Sequence, residues 1–224
     1  MSTITEVKKA FYHYRLFKIF SYLHIIEFSS ENYFKSRAYY ENILQQYIKA
    51  DNYINIFLKK TDLRSLHTDI DILPYLLGKS IKNIIRIKGN PEYVFKEKDI
   101  SIFVYKRKIN GIKDRCKIHF YKNKVFFVNH NYPSINEKDK TYVIQAVEHK
   151  YLNANDFNID IPNCKIIDNN NSMIFIDDLV GLKISYFSNQ ESEWFIGMSL
   201  EIKAKNELKN AKIRLREKHF VANI

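Results

Sequence analysis

The apolar positions change period along this chain, and the changes mark its elements. Over residues 5–28, Val7, Phe11, Tyr14, Leu16, Phe17, Phe20 and Leu23 recur every three or four residues, which predicts a helix. "SSEN" at 29–32 breaks that pattern and supplies a cap. A second helix is predicted from about 31 to 60, with Tyr33, Phe34, Tyr40, Leu44, Tyr47 and Ile48 as its apolar side. The connector "KKTDLRSLHTDIDILP" then ends at Pro74.

In "LGKSIKNIIRIKGNPEYVF", residues 77–95, Ile81, Ile84 and Ile85 share one face, with Ile87 flanking it. Ser80 can cap a helix beginning at Ile81. Gly89 accepts the positive φ that ends it, and Pro91 forbids its resumption. The period then drops to two. "SIFVYKRK" (101–108) and "CKIHFYKNKVFFVNH" (116–130) alternate and are rich in β-branched and aromatic residues. Asn110-Gly111 and "YKNKV" are hairpin turns, giving a helix followed by a three-stranded antiparallel meander. Residues 138–152 predict another helix, and "NANDFNIDIPN" a loop. "CKIID", "SMIFID", "LKISYF" and "WFIGMSLEIKAK" predict four more strands, and the tail from Lys205 to about His219 a charged helix.

The expected fold is therefore α+β. N-terminal helices (1–72) precede a short helix packed on an antiparallel meander (73–135), and a second helix-plus-meander unit with a C-terminal helix follows (136–224). Helix followed by meander occurs twice, the second time without the glycine brackets.

Composition adds little to this picture. The chain has 224 residues, 46% hydrophobic and 15% aromatic, which argues for ordered cores. Cys116 and Cys164 are too few for a disulfide scaffold and form no CxxC pair, so a reduced, cytoplasmic setting fits. No secretory signal is visible. The apolar run "LFKIFSYLHIIEF" is interrupted by Lys18, His24 and Glu27 and is shorter than the roughly 20 residues of a membrane span.

Charge is more informative. Of the formal +11, the excess concentrates in residues 73–132, where 14 Lys and Arg stand against 4 acidic residues. Residues 133–193 reverse the balance, 5 against 10. A localised excess implies a basic surface for an anionic or acidic partner, or docking of one segment on the other. Part of the lysine excess matches the usage of an AT-rich coding sequence, with 28 Lys to 8 Arg.

The positions Gly78-x-Ser80, Ile84, Gly89-x-Pro91, Phe103-x-Tyr105, Ile118-x-Phe120 and Asn123-Lys124-Val125 resemble a known pattern. Residues 73–132 look like the fold family of the small lipoprotein of the outer-membrane β-barrel assembly machine and the β-lactamase inhibitor protein. Phe103 stands where that family has tryptophan. The resemblance implies a short helix across one sheet face, with the other face open for binding proteins. In "CKIHFYK", Cys116, Ile118 and Phe120 would then meet the helix, while Lys117, His119 and Tyr121 point away, joined by basic residues of the neighbouring strand. The expected contact residues are Tyr105, Arg107, Lys117, His119 and Tyr121. An ordinary solvated sheet face would carry lysines as well.

Other chemistries have thinner signals. Glu201-Ile202-Lys203 on a strand, with Asp177 or Asp178 upstream, would suit a metal-dependent nuclease, although Glu-x-Lys arises by chance in a lysine-rich chain. Asp69-Ile70-Asp71 matches the metal motif of nucleotide-sugar transferases, but no Gly-rich nucleotide loop accompanies it. Cys116 and His119 face opposite sides of a strand, so no shared metal or catalytic pair follows. His130 and His149 show no carboxylate partner in sequence, and Trp194 reads as a packing anchor. Basic charge with aromatics also fits non-catalytic nucleic-acid binding, though few arginines are present for base contacts. The expectation is a non-enzymatic binding protein for a protein partner, with no cofactor implied.

Overall fold

A computed structural model describes residue 47 and residues 49–152, 161–178, 181–189 and 191–222, with side chains as far as 216. The first predicted helix, the front of the second and most of the loop before Ile161 lie outside these residues. Four helices are described: α1 (Ala50–Thr61), α2 (Ile81–Lys88), α3 (Glu137–Tyr151) and α4 (Glu193–Ala222). The strands are β1 (Arg64–Thr68), β2 (Tyr93–Glu97), β3 (Ile100–Ile109), β4 (Ile112–Tyr121), β5 (Lys124–Tyr132), β6 (Cys164–Asp168), β7 (Met173–Asp177) and β8 (Leu182–Phe187). They form one sheet, in the order β1-β6-β7-β8-β5-β4-β3-β2. Only β1 with β6 is parallel among the described pairs, and the class is α+β.

Local chemistry explains the helices. α1 buries Ala50, Tyr53, Ile54 and Phe57, spaced three, one and three residues apart, and ends in Lys59 and Lys60, which complement its dipole. At α2, the Ser80 hydroxyl accepts the Asn83 N–H, and Gly89, at φ 78°, donates its N–H to Ile85. Ahead of it, Gly78 donates to the Val125 carbonyl and Val125 to that of Lys79, tying this loop to the start of β5. At α3, the Asn136 side chain accepts the Asp139 N–H.

The two sheet faces carry different cores. On one, Ile84 of α2 and Val147 and Tyr151 of α3 join Phe103, Cys116, Ile118, Phe120, Val128 and Ile184. On the other, Tyr53 and Phe57 of α1 and Trp194 of α4 meet Phe126, Phe127 and Phe187 with centroids 4.9–6.1 Å apart, and Phe127 stacks on Phe187 at 4.1 Å. A β-bulge supplies the second core with an extra ring. Phe120 pairs with Val125 but His119 with Phe127, so Phe126 is the extra residue. Strict alternation would send Phe126 and Phe127 to opposite sides; the bulge lets both enter the aromatic cluster.

Several segments depart from the pattern read in the sequence. "WFIGMSLEIKAK" is the start of α4, not a strand. Its alternation of Trp194, Ile196, Met198, Leu200 and Ile202 satisfies both periods, but only the helical pair Trp194 and Met198 is fully buried. β1 lies in the predicted connector, and β2 precedes the predicted meander. Strands from all three predicted segments enter the one sheet. No helix among the described residues is long and apolar enough to cross a membrane.

Candidate functional site

The five residues expected to form an open contact face do not share one. Lys117, His119 and Tyr121 are buried, and α1 and α4 cover His119 and Tyr121. The His119 Nδ1 sits 2.8 Å from the Tyr53 hydroxyl of α1. The Tyr121 ring abuts Gly197 of α4, where a Cβ would approach its Cζ to 2.8 Å. Burial, reinforced by Lys183, pulls the Lys117 ammonium down to about 8. Tyr105 and Arg107 belong to the opposite face, since Tyr105 pairs with Cys116 and Arg107 with Asp114. Tyr105 donates to the Gly89 carbonyl, 3.1 Å away at the end of α2.

The residues considered for metal-dependent cleavage are also separated. Glu201 and Lys203 stand two apart on a helix, roughly 200° around it, rather than on one strand face. Glu201 pairs with Lys98 at 3.7 Å, whereas Asp178 pairs with Lys140 at 3.4 Å. Asp177 faces Lys183 in the β7–β8 register. Asp71 accepts from the Asn170 amide at 2.9 Å. Among the described residues no His, Cys, Asp and Glu side chains gather as a metal-ligand set.

The structure instead assembles a polar chain on the α2–α3 face. Arg107 on β3 pairs with Asp114 on β4, and Cys116 on β4 pairs with His130 on β5. Asp114 and Cys116, two apart, share that face. Arg107 Nε donates to Asp114 Oδ2 at 2.5 Å. His130 Nδ1 lies 3.1 and 3.0 Å from the two Asp114 oxygens, and its Nε2 lies 3.8 Å from Cys116 Sγ. A carboxylate can only accept here, so Nδ1 carries a proton. Arg107 Nη2, 3.4 Å from Nδ1, is then a close approach of two donors and not a hydrogen bond. The imidazole is flanked by Tyr132, whose ring is 17° from parallel, and by Tyr186 edge-on.

The electrostatics follow from this order. Burial opposes the charged imidazole, but Cys116 and Asp114 outweigh it and push His130 up to about 9. Burial likewise opposes the Asp114 carboxylate and is outweighed by His130 and Arg107, so Asp114 lies below the ordinary carboxylate range. Burial and then Cys116 raise the Tyr105 hydroxyl to about 12. A thiol, an imidazole aimed at it and a carboxylate orienting that imidazole are the parts of an activated nucleophile. The thiol is only 1% exposed, however. The sequence concealed this group because Asp114 and His130 meet only through the register across β4 and β5.

A second feature lies at the surface. After Ile202, α4 is exposed at every position through Arg216. Leu200, Leu208 and Leu215 are 61%, 65% and 59% exposed. With Ala204 and Ala211 they fall within an arc of about 80° on the helix. Lys205, Lys209, Lys212 and Arg216 form a cationic ridge along one side of that stripe.

Comparison of the chain with protein-family models, with curated proteins and with solved structures finds no match.

Proposed function

We propose that this chain is a protein-binding module, and that α4 carries the contact surface for an acidic amphipathic helix of another protein. The observation that carries this reading is the leucine stripe. A helix of 30 residues, roughly 45 Å long, is exposed at every position from Lys203 through Arg216. Isolated helical segments are marginal in water, and exposed leucines in a contiguous row cost solvation that a partner recovers. The partner's chemistry follows from the ridge beside the stripe. Lys205 already pairs with Asp51 of α1 at 3.2 Å, while Lys209, Lys212 and Arg216 beyond it stand three and four residues apart, so they would meet carboxylates spaced likewise on a helix whose apolar side covers the stripe. Two copies of α4 would oppose like charges, which disfavours self-pairing. A nucleic acid would use the cations but leave the leucines wet.

The binding class agrees with what the resemblance of residues 73–132 implies, while the surface proposed here is a helix rather than a sheet face. The test is paired affinity capture from the native cell with the wild-type chain and Leu208→Glu/Leu215→Glu. A protein retained by the wild type and reduced roughly tenfold or more by the variant supports the reading. Equal retention of every captured protein by both chains, or a wild-type chain that dimerises through α4 in light scattering, overturns it.

A further inference from the structure

The Arg107–Asp114–His130–Cys116 chain has no role in binding through α4. Its order is nevertheless chemical. Asp114 holds the proton on His130 Nδ1, which fixes the tautomer and leaves Nε2 aimed at Sγ, 3.8 Å away. With the Cys116 proton on Nε2, the cluster alternates: guanidinium, carboxylate, imidazolium, thiolate. Its formal charges sum to zero both before and after that transfer, so moving the proton from Sγ to Nε2 creates no net buried charge. The other cysteine supplies an internal contrast. Cys164 is also buried, 4% exposed against 1%, and sits among Leu66, Ile161 and Ile166 in the apolar core.

We propose that Cys116 is a peroxide-reactive thiol, activated by His130 and Asp114 and shielded from larger reagents by the fold. Burial sets the class of reactant. Among the described residues, the clefts lined by Asp51 and Glu201, by Asp71 and Asp168, and by Tyr75 and Arg86 do not include Cys116 or His130, and the sulfur's residue is only 1% exposed. A small uncharged hydroperoxide needs only a local opening beside Tyr105 and Arg107, the partly exposed members of the group. In the reaction, the thiolate attacks one peroxide oxygen and the O–O bond breaks. The sulfur is oxidised to sulfenic acid, the peroxide is reduced, and the departing hydroxide takes the Nε2 proton of His130 to leave as water. No disulfide follows within the chain. Cys164 on β6 is four strands from β4, on the order of 19 Å, far beyond disulfide reach.

The test uses the full chain at neutral pH, treated with hydrogen peroxide and a sulfenic-acid trap, with adducts at each cysteine counted by mass spectrometry. The expected result is labelling of Cys116 at least tenfold faster than Cys164, falling to near equality in urea. His130→Gln and Asp114→Asn, checked for native circular dichroism, should lower the Cys116 rate to that of Cys164 or below. An unreactive Cys116, equal rates in the native wild type, or a folded His130→Gln that keeps the wild-type rate overturns the proposal. Should both variants fail to fold, the ratio in the native wild type decides.

Discussion

His130 stands directly opposite Cys116 only because Phe126 is an extra residue in β5. Counting back from the Lys122-Asn123 turn without a bulge would put Asn129 opposite Cys116 and turn His130 to the other face. One inserted residue therefore both fills the aromatic core and completes the Asp114–His130–Cys116 chain.

Phe126 stacks on Trp194 at 4.9 Å and meets Tyr53 at 5.0 Å. Phe126→Ala should cost about 3–5 kcal/mol in urea unfolding. Trp194 is the single tryptophan and is buried, so its emission reports the transition directly. An unchanged midpoint with unchanged native emission would contradict the packing described.

Gly197 makes room for the Tyr121 ring. Alanine is the better helix former by about 1 kcal/mol, so propensity alone predicts stabilisation by Gly197→Ala. The clash with Tyr121 should reverse the sign, giving a net loss of about 1–3 kcal/mol. Thermal unfolding measures it, and combining the change with Tyr121→Ala should make the two effects strongly non-additive.

The His130 imidazole titrates higher in the folded chain than its ordinary 6.5, at about 9. Its contribution to stability is thus complete below about pH 6.5 and is lost as pH rises through 9. The loss is at most on the order of 3 kcal/mol. Asp114 acts in the opposite direction, stabilising above the ordinary carboxylate range and losing that effect on acidification. Lys117, held down to about 8, acts the other way as pH rises toward its ordinary 10.5. The measurement is therefore a difference: as pH rises from about 6.5 through 9, the wild-type urea midpoint should fall relative to that of His130→Gln.

Leu208 and Leu215 are exposed on α4. Replacing each by glutamate should change unfolding free energy by less than about 0.5 kcal/mol. A large destabilisation, read by denaturant titration, would mean that the stripe packs within the chain and is not a free surface.

Residues whose structure is fixed by near neighbours were legible in the sequence. Ser80 and Gly89 bracket α2 because a cap and a positive-φ stop are local requirements. Asn110 and Gly111, both at positive φ, turn β3 into β4 for the same reason. Cys116 and His119 do face opposite sides. What failed depended on distant residues. His119 and Tyr121 are covered by α1 and α4, which lie far from them in the chain. The start of α4 fits two periods at once, and only tertiary burial of Trp194 and Met198 selects the helix. β1 is five residues long, with only Leu66 and Thr68 buried, a pattern too short to separate from a loop. The carboxylate partner of His130 was invisible because a bulge leaves no composition signature.

The parallel pairing of β1 with β6, Arg64 beside Cys164, has a consequence during synthesis. β2 to β5 follow one another and can zip together as each hairpin emerges from the ribosome. β1 emerges first and yet has no strand to join until about a hundred further residues have been made. Its backbone donors and acceptors must stay wet until then, so this edge of the sheet waits unpaired while the central hairpins are already made.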